Sequence, residues 1–196
     1  MTAQEVANYI YTELRKAGAT FAGACAILGN IEAESRFIPN NVEDSYKQFT
    51  DESYTTQVDN GTYTNFIFDS VGYGIAQWTY YSRKKKFIEY MKGHGYSIGN
   101  LYGQVEFLII EFKEDFSSIW KKVCSSDDLY SLTSELLNKW ENPKVKNLTE
   151  RYTYALKWHS NLSQGGNTKM TSNEAINKVL NLAREEIGYH EKITNS

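Results

Sequence analysis

Cysteine and histidine are scarce in this sequence. Two cysteines, Cys25 and Cys124, in 196 residues are too few for a disulfide scaffold. Cys25 lies in an apolar helical run and Cys124 follows Trp-Lys-Lys-Val, so both read as free, partly buried thiols. The three histidines, His94, His159 and His190, are far apart and lack any zinc spacing, so neither a metal nor a cofactor is expected. No stretch approaches the ~18 apolar residues that would span a bilayer. The opening Met1-Thr2-Ala3-Gln4-Glu5 has no basic n-region and no apolar run, which predicts synthesis in the cytoplasm without a signal peptide. A net charge of −3 provides no drive toward nucleic acid or an anionic membrane, so neither is expected as a partner.

Hydrophobic residues at 41% and charged residues at 23% suit a folded domain with a core of useful size. The unusual excess is aromatic: 15 Tyr and 4 Trp. Rings with a polar edge serve as packing residues at element boundaries, and they also stack on the C–H faces of sugars.

Helical periodicity dominates. Val6, Ile10 and Leu14 mark a first helix from about Thr2 to Ala17, stopped by Gly18. Thr20 is a plausible N-cap for a second, with Phe21, Ala24, Ile27, Leu28 and Ile31 as its stripe; it must end before Pro39. Residues 39–72 carry no sustained helical period. Thr62 to Phe68, preceded by Asp59-Asn60-Gly61, is the one strand candidate there. Helices resume over Arg83–Met91, Leu101–Phe112, Leu129–Trp140 behind Asp127-Asp128, and Val145–Leu162. The expected fold is mainly α, with a small β-hairpin or long irregular loop near residues 55–72. Residues 163–173 read as a linker, and 174–196 as the first helix of a truncated second domain.

Two segments could carry chemistry. Glu32 and Glu34 stand at the end of the second helix, followed by Ser35. Gly72-Tyr73-Gly74-Ile75-Ala76-Gln77-Trp78-Thr79 follows the irregular stretch. A glycosidase needs a carboxyl that stays protonated near neutral pH, and partial burial beside an apolar stripe moves a glutamate that way. Glu34 lies about 70–80° from the centre of its helix stripe, and Glu32 about as far on the other side, so periodicity does not choose between them. Gly72 and Gly74 would allow a tight turn and close backbone approach to a ligand. Tyr73 and Trp78 offer ring faces, and Gln77 offers both a donor and an acceptor.

Leu28 to Pro39, followed at this spacing by Gly72 to Thr79, resembles the phage tail lysozyme family, relatives of goose-type lysozymes and lytic transglycosylases. The resemblance covers about residues 4–162, and Lys139-Trp140-Glu141-Asn142-Pro143 looks like the family's Tyr-Glu-Arg-Pro segment. It implies cleavage of the β-1,4 bond between N-acetylmuramic acid and N-acetylglucosamine in peptidoglycan glycan strands. It also implies action on the bacterial wall after release or as part of a virion. The family's catalytic glutamate is that of its Glu-Ser dipeptide, which falls on Glu34. Asp69 is the nearest match to the goose-type general base, with spacing off by one, and Thr79 stands where a further goose-type aspartate would be. Tyr73, Gln77, Trp78 and Ser35 are expected at the substrate, with Trp78 supporting the site from the core. Glu141 beside Pro143 reads as structural, closing a helix. A lytic transglycosylase leaving 1,6-anhydro ends, or an inactive glycan-binding module, is the alternative. Ala183 to Lys192 looks like the opening of a CHAP-type amidase or peptidase domain, which would make a second catalytic domain part of the longer protein.

Overall fold

The computed structural model describes residues 1–143 and 146–163. The expected linker from residue 164 onward, the helix over 174–196 and the CHAP-like segment lie outside the described residues.

Helix α1 spans Ala3–Lys16. The Thr2 side chain accepts from the Glu5 amide while the Glu5 carboxylate accepts from the Thr2 amide, a capping box that starts the helix two residues into the chain. Val6, Ala7, Ile10 and Leu14 form its buried face. Gly18, with φ at 112°, turns the chain into α2, Phe21–Ser35, whose Thr20 hydroxyl accepts from the Gly23 amide at 2.9 Å.

Helix α2 is the centre of the molecule. Every residue from Ala22 to Ile31 is buried, so the helix is enclosed rather than amphipathic. Its most extensive partner is the last described helix, α8, Leu148–Ser163. Gly29 makes this approach possible. A Cβ added there would lie 2.6 Å from both the Arg151 carbonyl and the Ala155 amide, closer than real side chains come. The contact sets Arg151 beside the C-terminal end of α2.

The stretch after Pro39 contains a helix that the sequence pattern did not show: α3, Asp51–Asp59, capped by the Thr50 hydroxyl on the Ser53 amide. Tyr54 and Val58 are its buried residues, too few to register as a helical period. Residues 62–68 form turns rather than the expected strand. Among the described residues the only β pairing is two isolated antiparallel bridges, Val42 with Tyr73 and Tyr73 with Trp78. Of the hairpin or long irregular loop expected near 55–72, it is the irregular loop that forms, after the end of α3. The reason is aromatic: Tyr54, Tyr63, Phe66 and Tyr73 pack on one another at centroid distances of 5.4 to 6.0 Å, so the rings point inward together instead of alternating as in a strand.

The remaining helices are α4 (Tyr81–Gly93), α5 (Leu101–Glu114), α6 (Ser117–Val123) and α7 (Leu129–Leu136); α6 and α7 pack on α2 with α1, and α5 packs on α1, α4 and α6. Helix α6 was not anticipated from the sequence; its seven residues cover only two turns. Helix α7 runs into a π-helical turn over Leu137–Glu141, closed by Asn142 at φ 43°. The widened turn places the consecutive residues Trp140 and Glu141 both in the interior. Among the described residues no helix is long and apolar enough to cross a membrane.

Candidate active site

Helix α2 ends abruptly. Arg36 and Phe37 both adopt positive φ, at 53° and 65°, and the chain turns away immediately after Ser35. Ser35 is buried, and its hydroxyl donates to the Ile75 carbonyl at 2.9 Å. This bond ties the end of α2 to the Gly72–Thr79 segment. The segment is in turn held by the Gly74 amide on the Asn41 carbonyl at 2.9 Å, with Gly74 at φ 77°. The Gln77 amide donates to the carbonyls of Asn41 and Gly74, each at 3.1 Å.

Between these parts lies a cleft of about 940 Å³. Its walls include Glu34, Ser35, Arg36 and Ile38 from the end of α2 and beyond, Asn41, Glu43, Asp44, Asp51, and Gly72, Gln77 and Thr79. Tyr80, Tyr81 and the turn Glu141-Asn142-Pro143 complete the lining. Concave, mixed polar and apolar surface of this size is what a ligand site requires.

The two glutamates that helical periodicity left equal are separated by the structure. Glu34 lines the cleft. Glu32 is not part of the lining; it is held by α8, accepting from the Trp158 indole at 2.6 Å and pairing with Lys157. Both carboxyls are 16% exposed, so burial alone does not distinguish them. What distinguishes them is the neighbour. Glu34 pairs with Arg151, itself anchored to the backbone carbonyl and side chain of buried Asn30 at 3.2 and 3.3 Å.

Of the other residues expected at the substrate, Ser35 and Gln77 line the cleft, whereas Asp69, Tyr73 and Trp78 do not. Asp69 is enclosed: its side chain is 4% exposed and accepts from Lys84 at 2.6 Å, Tyr54 at 2.6 Å, Tyr63 at 3.1 Å and the Val71 amide at 3.0 Å. Lys84, equally buried, also donates to the Val71 carbonyl at 2.8 Å. Burial lowers the Lys84 ammonium's proton affinity and its bond to Asp69 opposes that. Tyr73 is wholly buried, stacks on Tyr54, and shares a 2.6 Å hydrogen bond with Thr55. Trp78 stacks on Phe87 at 4.6 Å, and its indole donates to Glu111 at 3.2 Å.

The structure adds acidic groups that the sequence reading did not place at the site. Glu43, exposed at the cleft, accepts from the Gly72 amide at 3.2 Å and from Ser45 at 2.7 Å. Glu141, read from the sequence as closing a helix, lines the cleft and is buried, with Oε1 lacking any hydrogen-bond partner. Burial first, then the negative charge of Glu34, holds its carboxyl well above the usual glutamate range. The only sequence signal for Glu141 is its place in the Trp-Glu-Asn-Pro segment. Arg151 had none, because a charged residue inside a helical run ordinarily faces water.

A comparison with protein families matches residues 5–162 to the phage tail lysozyme family. The chain belongs to that family. The fold is mainly helical, and membership carries lysozyme-like lytic action on peptidoglycan. The match spans α1 through nearly all of α8, so the cleft and both of its walls fall within the family region. Among the described residues no group of His, Cys, Asp and Glu is arranged to hold a metal ion.

Proposed function

We propose that this protein cleaves the β-1,4 bond between N-acetylmuramic acid and N-acetylglucosamine by hydrolysis, with Glu34 as the general acid. The observation that carries the reading is that Glu34 alone of the two helix-end glutamates lines the cleft, next to the segment that Ser35 fastens to α2. In this role Glu34 protonates the glycosidic oxygen as the bond breaks. Glu43, held against Gly72 and open to the cleft, is the carboxylate suited to orient an attacking water. If the pair inverts configuration, the carboxyls should stand roughly 6.5–9.5 Å apart around a bound sugar. Asp69 serves the fold through Lys84, and Gln77 shapes the backbone that faces the sugar. The exposed rings of Tyr81 and Phe68, stacked at 5.2 Å beside the cleft, provide a platform for a sugar face.

The test is digestion of purified peptidoglycan by wild type and Glu34→Gln, with mass spectrometry of the products. Reducing muramic acid ends and a loss of at least about 100-fold in the variant are expected. A variant that clears walls at the wild-type rate sinks the assignment of Glu34. Products with 1,6-anhydro ends instead support a transglycosylase, in which the substrate's own hydroxyl attacks and Glu43 is dispensable. The chemistry is directed at the cell wall, reached after release or as part of a virion, and a second catalytic domain in a longer form is consistent with the CHAP-like segment.

A further inference from the structure

An acid catalyst must have a proton to give. Glu34 lines the cleft in an ion pair with Arg151, and a second carboxyl, that of Glu141, lines the same cleft. Glu141 is only 8% exposed, and its Oε1 is buried with no partner. An ionised carboxylate so placed would need an ion pair or several donors.

The charged groups around Glu141 come from four helices. Arg83 on α4 and Arg151 on α8 favour its ionisation, while Glu34 on α2 and Glu111 on α5 oppose it. Both arginines are committed elsewhere. Arg83 forks onto Glu111 at 2.7 and 2.9 Å, and Arg151 bonds Glu34 and Asn30. Glu141 therefore meets a net environment that keeps its proton, one residue from the π-helical position of Trp140 that turns it inward.

We propose that Glu34 and Glu141 form a coupled carboxyl pair that keeps one proton in the substrate-free cleft, with Glu141 the positioning residue that holds it. The inference rests on the reading of Glu34 as the general acid. The proton passes from the Glu141 carboxyl to Glu34, leaving Glu141 as the carboxylate. Glu34 then gives it to the glycosidic oxygen as the C–O bond breaks. The attacking water gives its proton to Glu43 as it adds to the sugar, and proton exchange with solvent then discharges Glu43 and restores the pair. One proton shared by two carboxyls leaves a constant fraction on Glu34 across the pH range in which the pair is singly protonated.

The pH dependence of kcat/KM reports this directly. Wild type should show a level shoulder on its alkaline side. Glu141→Gln, uncharged at every pH, should fall about tenfold per pH unit across that shoulder. Superimposable profiles, or a uniform drop with no change of shape, overturn the pair. Infrared spectroscopy provides a readout independent of turnover. A protonated-carboxyl C=O band should be present at neutral pH in wild type and absent in Glu141→Gln. In Glu34→Gln it should titrate away at lower pH than in wild type, because the neighbouring negative charge is gone. A band whose titration is the same in wild type and Glu34→Gln overturns the coupling. Loss of activity in Glu34→Gln tests the acid itself, so failure of that reading is seen separately from failure of the pair.

Discussion

Lys84 Nζ lies 2.6 Å from Asp69 Oδ1, and neither side chain is more than 4% exposed. The pair is roofed by the Tyr54 and Tyr63 hydroxyls, and the Lys84 ammonium stands 4.1 Å from the centroid of Phe66. This arrangement fastens the coil before Gly72 to α4. It spends all of the Asp69 acceptor capacity on the protein itself.

Removing one partner of a buried pair leaves the other uncompensated, at a cost of about 3 kcal/mol or more. Asp69→Asn is therefore expected to lose stability by that order in denaturant unfolding. Its folded fraction should retain a kcat within a few-fold of wild type. A stable Asp69→Asn protein whose kcat drops by about 100-fold or more would restore Asp69 as the general base.

Glu32 offers the matching control for Glu34. Its bonds run to Trp158 and Lys157, away from the cleft. Glu32→Gln should cost about 1 kcal/mol of stability through the weakened indole bond and leave muropeptide release at the wild-type rate. Loss of turnover in Glu32→Gln comparable to that in Glu34→Gln would contradict the assignment of the cleft glutamate.

The buried carboxyl of Glu141 predicts a pH-dependent stability difference. Its affinity for the proton is raised in the folded state above the ordinary value of 4.5. Below that pH both folded and unfolded chains carry the proton, and burial costs nothing through titration. As pH rises, the unfolded chain releases its proton first, so stability is lost progressively toward the folded-state value. Glu141→Gln removes that loss. Each tenfold rise in proton affinity corresponds to about 1.4 kcal/mol, or ~2–4 °C in Tm per kcal/mol for a domain of this size. The Tm of Glu141→Gln relative to wild type should therefore increase between pH 4 and pH 7. A difference that is the same at both pH values would count against a proton on Glu141.

Phe68 is 64% exposed and Tyr81 48% exposed, and they stack on each other at the edge of the cleft. Exposed rings in mutual contact gain little for the fold, and they offer a broad face to a sugar. Replacing both with alanine should raise KM for long glycan strands about tenfold, equivalent to roughly 1.4 kcal/mol of binding, with kcat little changed. An unchanged KM on polymeric substrate would remove the platform from the binding site.

Much of the framework was legible because it depends on local rules. Thr20 caps the helix it was expected to cap, and Val6, Ile10 and Leu14 are buried as their spacing required. The mainly α class followed from the same periodicity. Helix α3 was missed because only Tyr54 and Val58 of its residues are buried, and the aromatic stretch after it mimicked a strand. Tyr73 was expected at the sugar because its ring is suited to it, and packing takes it into the core; Trp78, expected to support the site from the core, is buried there too.

The sequence by itself determined the helical framework, and through the Glu-Ser dipeptide and its partner segment it determined the family. It could not rank Glu32 against Glu34 by physics, since both sit at equal angles from the buried stripe. Only the tertiary structure decided which of the two faces the cleft. Gly29 lets α8 close on α2, which gives Glu32 to Trp158 and Lys157 and leaves Glu34 to Arg151 and the cleft. Likewise the charges that act on Glu141 come from four different helices. Proton affinity follows from the summed field of such neighbours, and that field exists only once the chain has folded.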